Sequence, residues 1–281
     1  MYKVGLSTPG FLNEDLFKQY NQAGIECMEV SINDELSRQI NFDDLSKWSK
    51  KYNVKLWSFH LPFAPFEKID ISKKELCENN VRYLSEYVKK GSSIGIDKFV
   101  IHASGEPIEE SARKERMNCS KDSLNSLAEI AYKCGSTIAV ENLPRTCLGR
   151  NSDDILDLIS ANDKLRVCFD TNHLLSEKSD DFLRKIGSKI ITMHVSDYDF
   201  QNERHWLPGE GDINWPKLLE ILKEICYNGV WMYEIGFKCP NTIIRDRDLN
   251  CNDFVQNAKE LFSGNDITII SKRKENLGYW E

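Results

Sequence analysis

The sequence predicts an α/β protein, a closed (β/α)8 TIM barrel, on three observations. Eight short apolar runs rich in β-branched residues recur along the chain. Longer segments with helical spacing separate them, and such alternation implies parallel strands joined by right-handed crossovers. Eight units over about 260 residues suit a closed barrel better than an open doubly wound sheet, and no G-x-G-x-x-G turn follows the first run.

The runs are, in order, KVGLST (3-8), CMEVSI (27-32), KLWSFHLP (55-62), KFVIHAS (98-104), STIAVENL (136-143), LRVCFDTNH (165-173), IITMHVSD (190-197) and GVWMYEIG (229-236). Each is short and bounded by polar or turn residues, which is the signature of a buried strand. Helical spacing appears between them in DDLSKWSKKY (43-52), ELCENNVRYLSEYVKKGSSIG (75-95), SKDSLNSLAEIAYKCG (120-135) and WPKLLEILKEIC (215-226). Asn13, Asp43, Ser152 and Asn214 stand where an N-cap side chain would accept from free helix amides.

With 41% apolar residues in 281, the chain can bury one large core. No linker rich in Gly, Ser or Pro interrupts it, so residues 1-281 are read as one barrel domain, with 264-281 a C-terminal extension. The ITII of that extension is expected to add a strand or to pack below the barrel. Nine cysteines, odd in number and never spaced C-x-x-C, suggest neither a disulfide framework nor a thiolate zinc site. The N-terminus lacks a basic region followed by an apolar one, and no long apolar run follows, so a cytoplasmic location is expected. A net charge of -7, with SKRKEN as the compact basic run, argues against a nucleic-acid partner.

In such a barrel chemistry collects at the C-terminal ends of the strands. The runs end near Glu29, His60, His102, Glu141 with Asn142, Asp170 with His173, His194 with Asp197, and Glu234. A lone strand-end glutamate is more often a salt-bridged surface residue, and a lone histidine in an apolar strand is more often a hydrogen-bonded core residue. Convergence changes that balance, because barrel closure points Glu141, Asp170, His194 and Glu234 at one mouth. Three buried carboxylates together repel one another unless a cation neutralises them. Three carboxylates with one imidazole favour Mn, Mg or Co, and a four-ligand Zn with open positions also fits.

The motifs VEN, FDTNH, MHVSD, H-x-L-P-G-E-G-D-I-x-W and YEIG resemble those of the xylose isomerase-like TIM barrel superfamily, and within it the sugar phosphate isomerase/epimerase family. The resemblance runs from VGLST to about residue 260. It implies one divalent metal held by Glu141, Asp170, His194 and Glu234, and a substrate contact at His173. It also implies His60 and His102 in the substrate pocket, a carbohydrate substrate and a homo-oligomer. A metal between two glutamates suits proton abstraction beside a carbonyl, with Glu141 and Glu234 as the catalytic acid and base on opposite faces of an enediolate. The expected reaction is isomerisation or epimerisation of a sugar, sugar phosphate or related hydroxycarbonyl. One departure stands out: the keto-sugar epimerases carry a second glutamate six residues after the strand-five ligand, where this chain has Cys147. Dehydratases of the inosose and dehydroshikimate type share the scaffold, so a lyase is an alternative.

A second alternative comes from the same superfamily. Endonuclease IV-type AP endonucleases hold three zinc ions with additional histidines and a D-R-H motif. Here His60, His102, His173, Glu203 and His205 occupy those positions, Glu203 replacing an aspartate. The acidic net charge and the lack of basic, aromatic-rich loops weigh against a DNA substrate. A third possibility, a barrel that binds without turnover, is disfavoured because chelation alone does not need facing glutamates.

The stretch HVSDYDFQNERHWLPGEGDINW (194-215) is expected to fold over the mouth, with Pro208 and Gly209 setting its turn. His205 is expected to face the pocket and Asp197 to support the metal or touch substrate. Arg145 and Arg204 are expected either to meet an anionic group of the substrate or to form salt bridges at the rim.

Overall fold

A computed structural model describes residues 1-274 of the chain. All eight expected runs are strands: β1 (Val4–Ser7), β2 (Cys27–Val30), β3 (Lys55–His60), β4 (Lys98–Ile101), β5 (Thr137–Glu141), β6 (Arg166–Asp170), β7 (Ile190–His194) and β8 (Trp231–Tyr233). They form one parallel sheet in the order β7-β6-β5-β4-β3-β2-β1-β8. Val195 pairs with Tyr233 across the remaining seam, its amide donating to the Met232 carbonyl at 2.8 Å, so the barrel closes.

Helices α1 (Glu14–Ala23), α2 (Asp34–Ser37), α3 (Phe42–Tyr52), α4 (Cys77–Ser93), α5 (Glu110–Lys133), α6 (Ser152–Ile159), α7 (Ser179–Ile186), α8 (Trp215–Glu224) and α9 (Cys251–Ser263) occupy the connections. Their apolar faces pack on the outer faces of the strands and join Leu16, Phe17, Leu124, Phe182 and Leu222 to Phe59, Phe99 and Phe169 in one core. Asn13 and Asn214 cap α1 and α8 as expected. Asn41 caps α3 and Asn151 caps α6, in place of the expected Asp43 and Ser152.

The extension adds a strand, as one of the two expectations had it, but just after ITII and not within it. Ile267 packs beside Gly209 in the loop after β7, at the mouth and not below the barrel. The strand that follows, β10 (Ser271–Arg273), pairs antiparallel with β9 (Ile243–Arg245), a short strand in the loop after β8. The rest of the expected extension, 275-281, lies outside the described residues. Among the described residues no helix is long and apolar enough to cross a membrane.

Candidate functional site

Parallel strands bring their C-terminal ends to one face, where β5 ends at Glu141, β6 at Asp170 and β7 at His194, and Glu234 follows β8 directly. One ligand atom from each of these four residues lies within 4.8 Å of the others. His194 Nδ1 is 2.9 Å from Glu141 Oε1, 3.4 Å from Glu234 Oε2 and 3.7 Å from Asp170 Oδ2.

The donor set fits a hard divalent cation. Asp170 is fully buried, and its Oδ1 accepts from the Asn172 amide at 2.6 Å, while Oδ2 has no hydrogen-bond partner. Burial, followed by the Glu234 and Glu141 charges, pushes the Asp170 carboxyl well above the usual carboxylate range. A cation among these oxygens removes both penalties, since a buried carboxylate without compensation is costly. Asn142 holds Asp170 from behind, accepting from its amide at 2.7 Å and donating to its carbonyl at 2.9 Å.

The remaining histidines surround this centre. His60 Nε2 and His102 Nε2 approach Glu141 Oε2 at 3.1 and 3.2 Å. His60 Nδ1 faces the Leu61 carbonyl at 2.9 Å, which leaves Nε2 to meet Glu141. Burial disfavours the charged form of His60, but Glu141 overrides it and raises the pKa; in His102 burial prevails and lowers it. His173 Nδ1 lies 2.9 Å from the Asn142 carbonyl, and its Nε2 lies 3.8 Å from Glu203. His60, His102 and Glu141 therefore form a second group of potential ligands, and His173, Glu203 and His205 a third.

A cavity of about 150 Å³ opens over these groups, lined among others by Phe63, Glu106, Glu141, Arg145, Glu203 and Glu234. The four expected pocket histidines, His60, His102, His173 and His205, line it too. Arg145 is ion-paired with both Glu106 and Glu203 at its wall. Cys147 also faces the cavity, and burial pushes its thiol up, so this position offers no carboxylate equivalent.

Arg204 sits elsewhere. Its side chain is fully buried, with Nε 2.9 Å from Asp199 Oδ2, and it is not among the residues lining the cavity. The adjacent His205 has φ +49, a left-handed conformation, and reaches the pocket while its Nδ1 faces the Glu234 carbonyl at 3.0 Å. Asp197 is a loop organiser: its carboxylate accepts from Gly209, Tyr198 and Ile213 amides and from Trp215 Nε1 at 2.8 to 3.2 Å. Trp206 is fully buried and supplies no pocket wall.

Sequence reasoning left Glu29 without a role, yet its Oε1 lies 2.9 Å from His194 Nε2. Ser58 Oγ donates to its other oxygen at 2.6 Å. His194 Nε2 has no partner with hydrogen-bond geometry, but a carboxylate at that distance favours the proton on Nε2 and so the tautomer whose Nδ1 lone pair faces Glu141, Asp170 and Glu234. Glu29→Gln is therefore expected to weaken metal binding by about 10–100-fold, as read by competition with a chromophoric chelator. Unchanged affinity would remove Glu29 from the centre.

The family model that matches residues 17–247 is the xylose isomerase-like TIM barrel. The chain belongs to that family. It is 25% identical to an uncharacterised protein of Methanocaldococcus jannaschii, over 92% of this chain and 99% of that one. Among solved structures, a D-tagatose 3-epimerase-like protein superposes with a TM-score of 0.79 at 22% identity, covering 93% of this chain and 97% of the other. A family 2 AP endonuclease from Brucella melitensis superposes with a TM-score of 0.68 at 16% identity, covering 83% and 92%. At these identities the family fold is shared with an epimerase-like protein and an endonuclease alike, so the chemistry must come from the site.

Proposed function

We propose that this protein is a divalent-metal-dependent isomerase or epimerase of a sugar or related hydroxycarbonyl, with Glu141 and Glu234 as its acid–base pair. One observation carries the reading. Of the four clustered residues, Glu141 and Glu234 line the cavity while Asp170 and His194 do not. Asp170 and His194 thus serve as ligands alone, and the two glutamates serve both as ligands and as groups that reach substrate.

A divalent ion bound by these four residues supplies Lewis acidity, polarising a substrate carbonyl and acidifying the neighbouring C–H bond. One glutamate takes the proton from that carbon, leaving an enediolate, and the other delivers a proton to the opposite face or to the adjacent carbon. His60, His102, His173 and His205 stand where substrate hydroxyls would be held, and Phe63 offers an apolar face beside them. The similarity in fold to a D-tagatose 3-epimerase-like protein and a D-psicose 3-epimerase supports this reading. The test is incubation with candidate ketoses in deuterated water. Label at the carbon undergoing epimerisation is expected; turnover without label would exclude an exchanging enediolate.

A second reading rests on a different observation: beside the four-residue cluster, His60 and His102 converge on the same Glu141, and His173, Glu203 and His205 form a further potential ligand group. This is the arrangement a three-zinc phosphodiesterase of the endonuclease IV type requires. The ion pair of Glu203 with Arg145 favours the first reading, because it compensates that carboxylate with a side chain.

A further inference from the structure

The segment after α9 is bound to the loop that carries Glu203 and His205. Arg273, in β10, donates from Nε to the Glu210 carbonyl at 2.7 Å and forms a bidentate pair with Asp212 at 2.8 and 3.0 Å. Its guanidinium lies 5.3 Å from the centre of the Trp206 ring. Its strand partner β9 contributes Arg245, whose pair with Glu210, 2.6 Å at its shortest, is 1% exposed on both sides. Trp206 Nε1 donates to Thr242 Oγ1 at 2.7 Å, and Asn257 Nδ2 to the Pro208 carbonyl at 2.8 Å. Gly209 has φ +98 and lies against Ile267, so close that an added Cβ would stand 2.8 Å from it.

These contacts reach the pocket along a short path. Trp206, fixed on both sides, is also paired with Asp197 through two backbone hydrogen bonds of 2.7 and 3.0 Å. His205 precedes it in a left-handed conformation that a non-glycine residue keeps only when its surroundings impose it. The Asp197 pairing, the Asn172 side chain at the Arg204 amide and the Glu234 carbonyl at His205 hold this turn from the barrel side, and the β9–β10 ribbon packs on it from the other.

We infer that Arg273 is a positioning residue: through Glu210, Asp212 and Trp206 it holds the mouth loop so that His205 faces the cavity. The inference rests on the cavity being the reaction site, as proposed above, but not on which reaction occurs there. It gives the C-terminal extension a task at the active-site end of the barrel.

The test uses full-length protein with one equivalent of magnesium, a diamagnetic ion, carrying 15N-labelled histidine, compared with Arg273→Ala. In the parent, His205 is expected to show one fixed tautomer with the proton on Nδ1, directed at the Glu234 carbonyl. In the variant that signature should be lost, while His60, His102, His173 and His194 keep their shifts. An unchanged His205 signal would overturn the inference. So would equal changes at all five histidines, which would mean that Arg273 supports the barrel generally. If Arg273→Ala does not fold, Asp212→Ala removes the bidentate partner from the loop side and is judged by the same signals. Because no turnover is measured, failure here is separate from failure of the proposed reaction.

Discussion

Glu234→Gln is expected to lower kcat on the true substrate by about 10²–10⁴-fold, the usual worth of a positioned general acid or base. Glutamine keeps an oxygen for the metal but cannot carry the proton. Glu141→Gln should cost at least as much, since Glu141 also faces His60, His102 and His194. The two variants separate in solvent exchange. Each retains one competent glutamate, so each should exchange the proton only of the epimer that presents its C–H to that glutamate, one variant acting on one epimer and the other on its partner, while failing to complete the reaction. Washout of label without product, measured by mass spectrometry, is the expected signature. If both variants epimerised at the parent rate, the acid–base assignment would be wrong and the glutamates would be ligands alone.

The barrel and the clustering of Glu141, Asp170, His194 and Glu234 at its mouth were legible because each strand is a short apolar run ending in a polar residue, and parallel pairing forces those ends onto one face. What escaped reading depended on contacts between distant segments. Glu29 stands at the end of β2, yet its partner His194 is on β7, and strand order alone does not tell which side chains meet across the barrel. Helix α5 begins at Glu110, ten residues before the expected start, and among its first ten residues Met117 alone is buried. Apolar periodicity is weak there. His205 was expected at the pocket and lines it, whereas Arg204, expected to meet a substrate anion or to form a rim salt bridge, is buried with its Nε on Asp199. Strand β10 reads Ser-Lys-Arg, with no strand propensity, and exists because β9 and the loop acids pair with it.

One divalent ion per chain, and loss of all turnover on its removal by a chelator, is the other large effect expected. The reason lies in the charge around the cavity. Glu106, Glu141, Asp170, Glu203 and Glu234 are opposed by the single guanidinium of Arg145 among the described residues at the site. With one divalent ion this set stays anionic and suits an uncharged, hydroxyl-rich substrate. A phosphate group beside an uncompensated carboxylate meets repulsion of about 4 kcal/mol at 4 Å and an effective dielectric of 20. With three divalent ions the same set becomes cationic and suits a phosphodiester. Ion count and substrate charge are therefore linked by the residues themselves, and one determination by mass spectrometry on protein purified without chelator addresses both. One manganese, magnesium or cobalt ion, with His102→Ala leaving that count unchanged and inorganic phosphate failing to compete with sugar, is the expected result. Nearly three zinc ions, reduced by His102→Ala, with phosphate bound tightly and abasic DNA cleaved, would overturn the sugar reading and make the shared Glu141 the bridge of a hydrolytic cluster.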